Sequence, residues 1–333
     1  MPLYTHDQLF QQFNKALDAV YYPANPAELY EPINYALSVG GKRLRPVFML
    51  LACQAFGGDV ERTMAAAIAL ETFHNYTLLH DDLMDNADVR RGKPTVHKRW
   101  DANVAILSGD AMLELAYGRM YQALSQADGI AETARQSAFR LFLETTLQVS
   151  EGQQYDMNFE HRLDVTLNEY FEMIRLKTGV LIACALEMGA LVGGATREQA
   201  DKLYQYGLQI GRAFQLQDDY LDVFGDAKVF GKSIGGDIHE GKKTYLLISA
   251  LSRSSAEQRL EIADRLTDHD ADPQAKIDWF TQLYKSLGVP EACAQEMLSC
   301  YYEADKLLAS VKMDDTGRQL IKDFADSLVH RVL

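Results

Sequence analysis

Proline is absent from the longest part of this chain, and its absence limits the possible folds more than any other sequence feature. All eight prolines of the 333-residue sequence lie outside the segment Thr95–Asp272. Proline interrupts a helix because it lacks a backbone N–H and its ring clashes with the preceding turn. The proline-free segment is also rich in alanine, leucine, glutamate and glutamine, which favour helices. The sequence therefore predicts a succession of long helices.

Hydrophobic periodicity gives the approximate positions of these helices. Apolar residues recur at the helical spacing in Leu9–Val20, and Arg62–Asp85 is apolar on most sides, as expected of a helix at the centre of a bundle. No run of alternating β-branched residues lies between turn signals, so no strand is predicted. The fold class is predicted to be all-α, a single large helical bundle that spans residues 1–333. Segments long enough for helices of about 26 residues are Ala102–Ala127, Ile130–Met157, Leu167–Val192 and Arg197–Phe224.

Composition and charge exclude several classes of function. The chain is 47% hydrophobic with a formal net charge of −14, which indicates a globular protein whose acidic surface argues against nucleic acid as a partner. Four cysteines without CxxC spacing indicate reduced thiols in a cytoplasmic protein. The N-terminus lacks the pattern of a secretory signal, and no uninterrupted apolar stretch reaches about 18 residues, so no transmembrane segment is predicted.

Two aspartate clusters of the form DDxxD carry the most specific chemistry. The first aspartate cluster occupies Asp81–Asp85, and the second aspartate cluster occupies Asp218–Asp222. On a helix, residues four apart lie on one face, so the first and last aspartate of each cluster repel one another. A compensating cation is therefore expected at each cluster. Each cluster also follows an apolar stretch, which places it at the end of a buried helix.

One DDxxD string alone is as readily a solvated acidic patch as a functional site. Two copies, each ending an apolar helix and each followed by basic residues, favour a chemical role over that alternative. Carboxylate clusters suit Mg²⁺ better than zinc, which prefers histidine and cysteine ligands. Because Mg²⁺ commonly joins a few carboxylates to substrate phosphates, we predict a magnesium-dependent site.

Basic residues lie near both clusters in the sequence. One group follows paired glycines in Gly40–Pro46, and a second comes directly after the first aspartate cluster. A third lies in Gly225–Gly241, which has too many glycines for a helix and is predicted to be a functional loop, and in the two lysines that follow it. Each group alone would be ordinary for a solvated surface, but three groups beside two metal-type clusters predict a polyphosphate ligand. The cations are Lys42, Arg43, Arg45, Arg90, Arg91, Lys93, Lys228, Lys232, Lys242 and Lys243.

In these features the chain resembles the trans-isoprenyl diphosphate synthases, the family of farnesyl and geranylgeranyl diphosphate synthases. The matching strings occur in family order from about residue 40 to residue 245, whereas the later residues match only in helical character. The resemblance implies an isoprenoid-synthase-like helical bundle around a central substrate cavity. The matching strings are Gly40–Pro46, His74–Asp85, Arg90–Thr95, Gly152-Gln153, Lys177-Thr178, Phe214–Asp222 and Gly231–Lys243.

The resemblance also implies the reaction and its metal ions. Such enzymes condense isopentenyl diphosphate head to tail with an allylic diphosphate that is held on three Mg²⁺ ions. By match, Asp81 and Asp85 would bind the metal directly on one side and Asp218 on the other. The remaining aspartates would act through water or as partners of these ligands: Asp82, Asp219 and Asp222.

Substrate-binding residues follow from the same match. The cation that forms when the allylic diphosphate ionises would lie near the carbonyl of Lys177 and the side chains of Thr178 and Gln215. Metal ions and preorganised cations would stabilise the departing diphosphate, which would also take up the released proton. Residues for the allylic diphosphate are Arg90, Lys177, Gln215, Lys232 and Lys242, and residues for isopentenyl diphosphate are Lys42, Arg45, His74 and Arg91.

Product length is predicted from the helix that leads into the first aspartate cluster. Tyr76 and Phe73, five and eight residues before Asp81, are about one turn apart, so both are predicted to form successive floors of the tunnel for the growing tail. Thr77 is small. This pattern, without an insertion in the cluster, resembles archaeal-type geranylgeranyl synthases, so a C15 or C20 product is expected. Packing between helices is the alternative role for the two aromatic residues.

Other functions remain open at this point. A terpene cyclase is also helical and has an aspartate-rich motif, but it usually lacks the second DDxxD. A non-catalytic partner subunit of a synthase typically lacks aspartates from one cluster. A di-iron bundle would need a second ExxH beside Glu71–His74, and the sequence has none. By resemblance, we expect a cytoplasmic homodimer formed through central helices.

Overall fold

The computed structural model of the chain describes residues 3–126, 131–225, 234–268 and 272–329. A single π-helical turn, Arg175–Gly179, separates α8 from α9. The helices of the described residues are α1 (His6–Asp18), α2 (Ala27–Ser38), α3 (Leu44–Ala55), α4 (Val60–Met84), α5 (Val96–Arg99), α6 (Ala102–Ser125), α7 (Glu132–Glu160), α8 (Leu167–Ile174), α9 (Val180–Gly193), α10 (Arg197–Phe224), α11 (Gly236–Glu240), α12 (Tyr245–Arg253), α13 (Ala256–Thr267), α14 (Pro273–Ser286), α15 (Val289–Ala309) and α16 (Asp315–Val329).

The predicted all-α class is confirmed, and several helix ends follow from local sequence. The side chains of Thr5 and Thr166 cap α1 and α8 by accepting from the backbone N–H three residues later. In return, the side chain of that later residue, Gln8 or Glu169, accepts from the threonine N–H, which completes a capping box at each helix. Asp59 and Asp101 cap α4 and α6 by accepting from backbone N–H groups of the first turn. The predicted segment Arg197–Phe224 coincides with α10.

A short hairpin contradicts the prediction that the chain forms no strand. β1 (Val89–Arg90) pairs antiparallel with β2 (Lys93–Pro94). The two residues between them, Arg91 and Gly92, have φ values of 51° and 76°. Positive φ at both central positions is the geometry of a type I′ turn, which suits a two-residue hairpin. Strands of two residues are too short to produce the alternation on which strand prediction rests.

The chain divides into two compact units. The first unit comprises Met1–Thr146, Cys184–Tyr204 and Ala309–Phe324. Its core contains nearly the whole of α3 and much of α4. Gly189 shows how closely its helices approach, because a Cβ there would lie 2.1 Å from the carbonyl oxygen of Met49.

The second unit comprises Leu147–Ala183, Gln205–Leu308 and Ala325–Leu333. Its core joins buried residues of α8, α10, α12, α14 and α15, with Tyr170 and Phe280 among the largest side chains. Gly211 of α10 packs against Gly179, where a Cβ would lie 2.5 Å from the Gly179 Cα. That the whole chain acts as one domain stays a prediction.

One segment, Leu167–Gly193, has the length and hydropathy of a membrane span, which the sequence analysis did not anticipate. Of its most apolar window, 83% is buried inside the protein. Mostly buried apolar helices are typical of protein cores and are weak evidence for a membrane span.

Candidate active site

The first aspartate cluster lies at the C-terminal end of α4. The helix runs to Met84, and Asp85 is its C-cap residue. Asp82 is only 5% exposed, whereas Asp81 is half-buried and Asp85 is exposed. The backbone N–H of Asp85 donates to the carbonyl of Asp81 at 2.9 Å, so the predicted helical spacing holds to the last turn. The cluster therefore has two accessible carboxylates and one enclosed carboxylate.

The β1–β2 hairpin brings Arg90 to the enclosed carboxylate. Its Nε lies 2.8 Å from both oxygens of Asp82 and its Nη2 lies 4.0 Å from Asp81. Burial raises the pKa of Asp82, and the guanidinium opposes that shift. The hydroxyl of Tyr35 donates to the carbonyl of Pro94 at 2.6 Å, which ties the hairpin to α2. Arg90 thus forms an ion pair with the buried Asp82 and also lies close to Asp81, one of the predicted metal ligands.

Residues predicted to bind isopentenyl diphosphate are brought together in the first unit. Arg45 Nη1 lies 2.9 Å from His74 Nε2, and Arg91 Nη1 donates to the carbonyl of Gly40. A Cβ on Gly41 would lie 2.5 Å from Arg91 Nη1, so the paired glycines make room for this guanidinium. Burial and the surrounding arginines hold the pKa of His74 well below its ordinary value. The ring is therefore neutral, and its Nε2 accepts from Arg45. Lys42, the fourth predicted residue, is exposed.

Arg43, the third cation of Gly40–Pro46, has a structural role. It is the N-cap of α3 with a left-handed backbone, φ 49°, and its side chain is buried. Its Nη1 lies 2.7 Å from Glu71 Oε1, and Nη2 donates to the carbonyl of Leu37 at 2.7 Å. Asn75 donates to the same Glu71 oxygen at 3.0 Å. Because Glu71 is engaged in this buried ion pair, the ExxH string has no available carboxylate for a di-iron site.

The two aromatic residues predicted to limit product length lie in an aromatic cluster of the first unit. Phe73 is 1% exposed and its ring meets that of Phe142 edge-on at 5.9 Å. Tyr76 is half-buried, and its ring centroid lies 5.6 Å from that of Phe73. Thr77 donates to the carbonyl of His74 at 2.7 Å. The two rings are thus neighbours along α4, while Phe73 also packs against α7.

The second aspartate cluster lies near the C-terminal end of α10, and its middle residue is the most enclosed. Asp219 is 3% exposed. Its Oδ2 accepts from the Tyr170 hydroxyl at 2.6 Å and from the Tyr245 N–H at 3.0 Å, and its Oδ1 accepts from Gln215 Nε2 at 3.0 Å. Burial raises the pKa of Asp219 to about 6, and these hydrogen bonds oppose the shift. Asp218, beside it, is only half-buried.

Gln215 connects this cluster to the segment that carries Thr178. The Thr178 hydroxyl donates to Gln215 Oε1 at 3.0 Å, and Thr178 belongs to the π-helical turn Arg175–Gly179. Lys177 Nζ lies 2.6 Å from Asp156 Oδ2 of α7. A Cβ on Gly152 would lie 2.3 Å from the Lys177 N, so that glycine allows α7 to touch the turn. Isolated π-helical turns are frequent at functional sites, and this one lies with all three predicted catalytic residues in one unit.

The last acidic residue of the cluster and the loop after it are joined by hydrogen bonds. Asp222 Oδ2 accepts from the N–H of Asp237 at 3.0 Å, where the short helix α11 begins inside the segment predicted to be a loop. Burial and the nearby Asp222 and Asp219 raise the pKa of Asp237 well above its ordinary value. Lys242 Nζ lies 3.0 Å from Glu240. Lys232 and Lys228 lie outside the described residues.

The donor set fits Mg²⁺ without forming a closed cage. Among the described residues, no three His, Cys, Asp or Glu side chains gather into a preformed metal site. Mg²⁺ keeps waters and commonly binds one or two carboxylates plus substrate phosphates, so a cage is not needed. Both clusters also stand at helix C-terminal ends, where the helix dipole adds negative potential. The carboxylates that are not buried, and so are suited to a metal ion, are Asp81, Asp85 and Asp218.

Residues that the sequence analysis did not single out also contact the predicted site, among them Asp156, Tyr170, Asp237 and Tyr245. Asp156 follows Gly152 by four residues on a predicted helix, so the helical spacing could have placed both on one face. Tyr170 and Asp237 meet the second aspartate cluster only through tertiary contacts. No local sequence signal pointed to either of them.

Known proteins resemble this chain over most of its length. The polyprenyl synthetase family model matches residues 26–283. A geranylgeranyl diphosphate synthase of Saccharolobus solfataricus is 40% identical over 271 residues, which cover 80% of this chain and 81% of that protein. A geranylfarnesyl diphosphate synthase of Natronomonas pharaonis is 35% identical over 322 residues, covering 92% and 91%.

The fold is equally similar to a solved structure. A crystal structure of a geranylgeranyl pyrophosphate synthase superposes with a TM-score of 0.92 and 39% sequence identity, and the match covers 99% of each chain. These similarities support a synthase and neither a terpene cyclase nor a non-catalytic subunit. The chain belongs to the polyprenyl synthetase family of trans-isoprenyl diphosphate synthases and is a prenyltransferase that makes short-chain polyprenyl diphosphates.

Proposed function

We propose that this enzyme condenses isopentenyl diphosphate with dimethylallyl, geranyl or farnesyl diphosphate to give a C15 or C20 diphosphate. Its family acts on these two classes of substrate and depends on Mg²⁺ in general. One observation carries the proposal. A hydrogen-bonded chain runs from Asp219 through Gln215 to Thr178, beside the π-helical turn that holds Lys177. It aligns oxygen dipoles next to a metal-type carboxylate cluster, as an ionising allylic diphosphate requires.

The allylic diphosphate is assigned to the metal ions and to nearby cations. When bound, Mg²⁺ supplies Lewis-acid charge for the departing diphosphate, and three ions are proposed. Asp81, Asp85 and Asp218 would hold them, with Asp82 and Asp222 as neighbours of these ligands. The cations proposed to bind the diphosphate oxygens are Arg90, Lys177, Lys242 and, outside the described residues, Lys232.

Isopentenyl diphosphate is assigned to the basic residues of the first unit. Arg45 is held by the neutral His74 ring and Arg91 by the Gly40 carbonyl, so both guanidinium groups are oriented before a ligand arrives. Preorganised guanidinium groups match diphosphate oxygens bidentately. The exposed Lys42 would add a point charge. No basic side chain is needed for the final proton, which the released diphosphate takes up.

The carbocation is assigned to the second unit. The Lys177 carbonyl, the Thr178 hydroxyl and the Gln215 carboxamide would surround the positive charge with oxygen atoms. We also assign Gln215 to the allylic diphosphate, as its sequence match predicts.

Product length is assigned to the aromatic cluster of α4. Phe73 and Tyr76 are neighbours along the helix, so a growing tail that runs along α4 would meet Tyr76 before Phe73. Named relatives include both geranylgeranyl and geranylfarnesyl synthases, so family membership alone does not set the product length. The bulk of both rings supports a short product.

We also propose a cytoplasmic homodimer. Large apolar side chains are exposed on α6, where Leu107 is 61% and Tyr121 is 63% exposed. They lie on one side of the helix, since their separation is close to four turns. We assign this side of α6 to the proposed dimer interface. Size-exclusion chromatography with light scattering tests the proposal, and a stable, fully active monomer would overturn it.

Product analysis tests the proposed reaction. Purified protein is incubated with labelled isopentenyl diphosphate and Mg²⁺, with dimethylallyl, geranyl or farnesyl diphosphate as the starter in separate reactions. We expect a labelled C15 or C20 diphosphate and release of one diphosphate per condensation. No labelled product with any starter would contradict a synthase, and a hydrocarbon product would indicate a cyclase.

A further inference from the structure

Asp219 is the second aspartate of a metal-type motif, yet it is buried and hydrogen-bonded to the protein through both of its oxygens. It is 3% exposed, and three donors already occupy its two oxygens: the Tyr170 hydroxyl at 2.6 Å, the Tyr245 N–H at 3.0 Å and Gln215 Nε2 at 3.0 Å. Tyr170 lies on α8, Tyr245 is the first residue of α12, and Gln215 lies on α10. Three of the roughly four acceptor sites of this carboxylate are thus filled by protein donors, which leaves little capacity for metal-bound water.

Asp219 determines which way the Gln215 carboxamide points. An ionised carboxylate only accepts hydrogen bonds, so Gln215 must turn its NH₂ group to Asp219. Its Oε1 then faces Thr178, whose hydroxyl donates to it at 3.0 Å. The two ends of a carboxamide have nearly the same shape, so only this network distinguishes them. The orientation of the amide therefore depends on the charge of Asp219.

Tyr170 holds Asp219 in place through its hydroxyl group. Its ring is 1% exposed and packs against Phe171 and Tyr245 with centroid distances of 5.6 and 6.3 Å. The hydroxyl reaches the site through the 2.6 Å hydrogen bond to Asp219. Tyr170 lies on α8, just before the π-helical turn that carries Lys177 and Thr178.

We propose that Asp219 and Tyr170 are positioning residues that hold the Gln215 carboxamide with its oxygen toward Thr178, and that Asp219 has no part in binding Mg²⁺. The inference rests on the proposed function, because the oriented oxygen matters only where a carbocation forms. An oxygen dipole fixed beforehand lowers the energy of that charge without reorganisation during the reaction. A reversed amide would place an NH₂ group there and oppose it.

Asp219→Asn is the main test, because it preserves shape but introduces an NH₂ group. The oxygen of the new side chain is required by the Tyr245 N–H, so its NH₂ group faces Gln215 and forces that amide to reverse. We expect kcat to fall about 10²-fold, with KM for both diphosphates and the Mg²⁺ concentration for half-maximal rate changed by less than about 3-fold. A large increase in the Mg²⁺ requirement would overturn the proposal.

A second substitution should restore the lost rate. In the double variant Asp219→Asn, Gln215→Glu, the introduced glutamate accepts from both the introduced asparagine and Thr178. An oxygen again faces Thr178, and the charge of the pair is kept. We expect kcat to recover about 10-fold relative to Asp219→Asn. No recovery would contradict the orientation argument, and a metal-binding role for Asp219 predicts no recovery.

Tyr170→Phe provides a milder change that is expected to fold, because only a hydroxyl is removed. We expect a decrease in kcat of about 3- to 10-fold with unchanged KM. The matched control is Tyr206→Phe, another tyrosine of the second unit that is 1% exposed and is not among the three donors to Asp219. It should keep the wild-type kcat. Equal effects of the two variants would overturn a positioning role.

A binding measurement separates this inference from the proposed function. Calorimetry of inorganic diphosphate with Mg²⁺ should give a Kd for Asp219→Asn within about 3-fold of wild type, and a value more than about 10-fold weaker would assign Asp219 to the metal site. In the kinetic assay, an inactive wild type overturns the function and this inference with it. An active wild type with a metal-binding defect in the variant overturns the inference alone.

Discussion

The middle aspartates of the two clusters, Asp82 and Asp219, occupy the same position in the same motif but are stabilised differently. Both are nearly inaccessible, at 5% and 3% exposure. Asp82 is neutralised by the guanidinium of Arg90, whereas the three donors that fill the oxygens of Asp219 are all neutral. The repeated motif therefore fixes where carboxylates lie on a helix and does not fix their electrostatics.

The difference has a chemical consequence. Arg90 reaches Asp82 from a hairpin only eight residues away, so charge balance in the first cluster is a local arrangement. The Tyr170 and Tyr245 donors of Asp219 are 49 residues before it and 26 residues after it. The first cluster is therefore balanced by a cation, and the second by neutral dipoles, which in our proposal orient Gln215.

The largest effect is expected where the two clusters should be equivalent, at Asp81 and Asp218. Asparagine at either position removes a charge from the proposed magnesium ligands. We expect kcat/KM to fall about 10³-fold, or about 4 kcal/mol, in each case. Steady-state assays over a range of Mg²⁺ concentrations test this, with the exposed Asp323→Asn as a control that should be unaffected. A loss confined to one cluster would show that only that cluster binds metal.

A smaller effect should distinguish the middle aspartates. Arg90→Met leaves Asp82 buried without its cation, so we expect the free energy of unfolding to fall by about 3 kcal/mol. Tyr170→Phe removes one of three neutral donors from Asp219 and should cost about 1.5 kcal/mol. Urea denaturation measures both.

The control for the charged pair is the double variant Arg90→Met, Asp82→Asn. It removes the unpaired charge and should recover more than half of the lost stability. If Arg90→Met were no more destabilising than Tyr170→Phe, the contrast between charged and neutral partners would have to be abandoned.

Product length should respond at the first cluster only. The residues five and eight positions before Asp81 are Tyr76 and Phe73, whereas those before Asp218 are Ala213 and Ile210. Tyr76→Ala opens the proposed floor, so we expect products longer by at least one isoprene unit and a change in kcat below about 10-fold. Ile210→Ala is the matched variant, with unchanged products. Chromatography of dephosphorylated products checks this, and an unchanged distribution for Tyr76→Ala would assign Tyr76 to packing.

The smallest effect concerns the arginine-rich surroundings of His74. The pKa of His74 is lowered in the folded protein. As the pH falls, His74 is therefore protonated near pH 6.5 in the unfolded chain and only at a lower pH in the folded protein. The stability that the neutral ring provides is complete above that pH and is lost as the pH falls below it, by at most about 1.4 kcal/mol for each pH unit. Urea denaturation of wild type and His74→Gln at several pH values on both sides of that pKa should show this difference, and parallel pH profiles would contradict it.

Much of the fold could be predicted because helices depend on local sequence. α10 coincides with its predicted segment, and α4 differs from its prediction by only a residue or two at each end. The proline-free segment and the regular apolar spacing were sufficient for this. The β1–β2 hairpin was missed because two-residue strands have no alternation to detect, although Gly92 lies in its turn.

The candidate site was predictable in its residue types and less so in their individual roles. Three cations lie within four positions in Lys42–Arg45, and the sequence offers no physical reason to separate them. In the structure, Arg43 is buried against Glu71, 28 residues away, while Arg45 meets His74, 29 residues away. Arg43 has a left-handed backbone, and nothing in its neighbours predicts that conformation.

The sequence by itself determined the helical class, the DDxxD spacing and the basic strings, because each depends on residues within a few turns of one another. Only the tertiary structure decided that Asp219 is enclosed by Tyr170, Tyr245 and Gln215 and that Asp82 is paired with Arg90. Burial and hydrogen-bond partners depend on how separate elements pack, and many of those elements are distant in the chain. Two identical motifs can therefore acquire different chemistry once the helices pack.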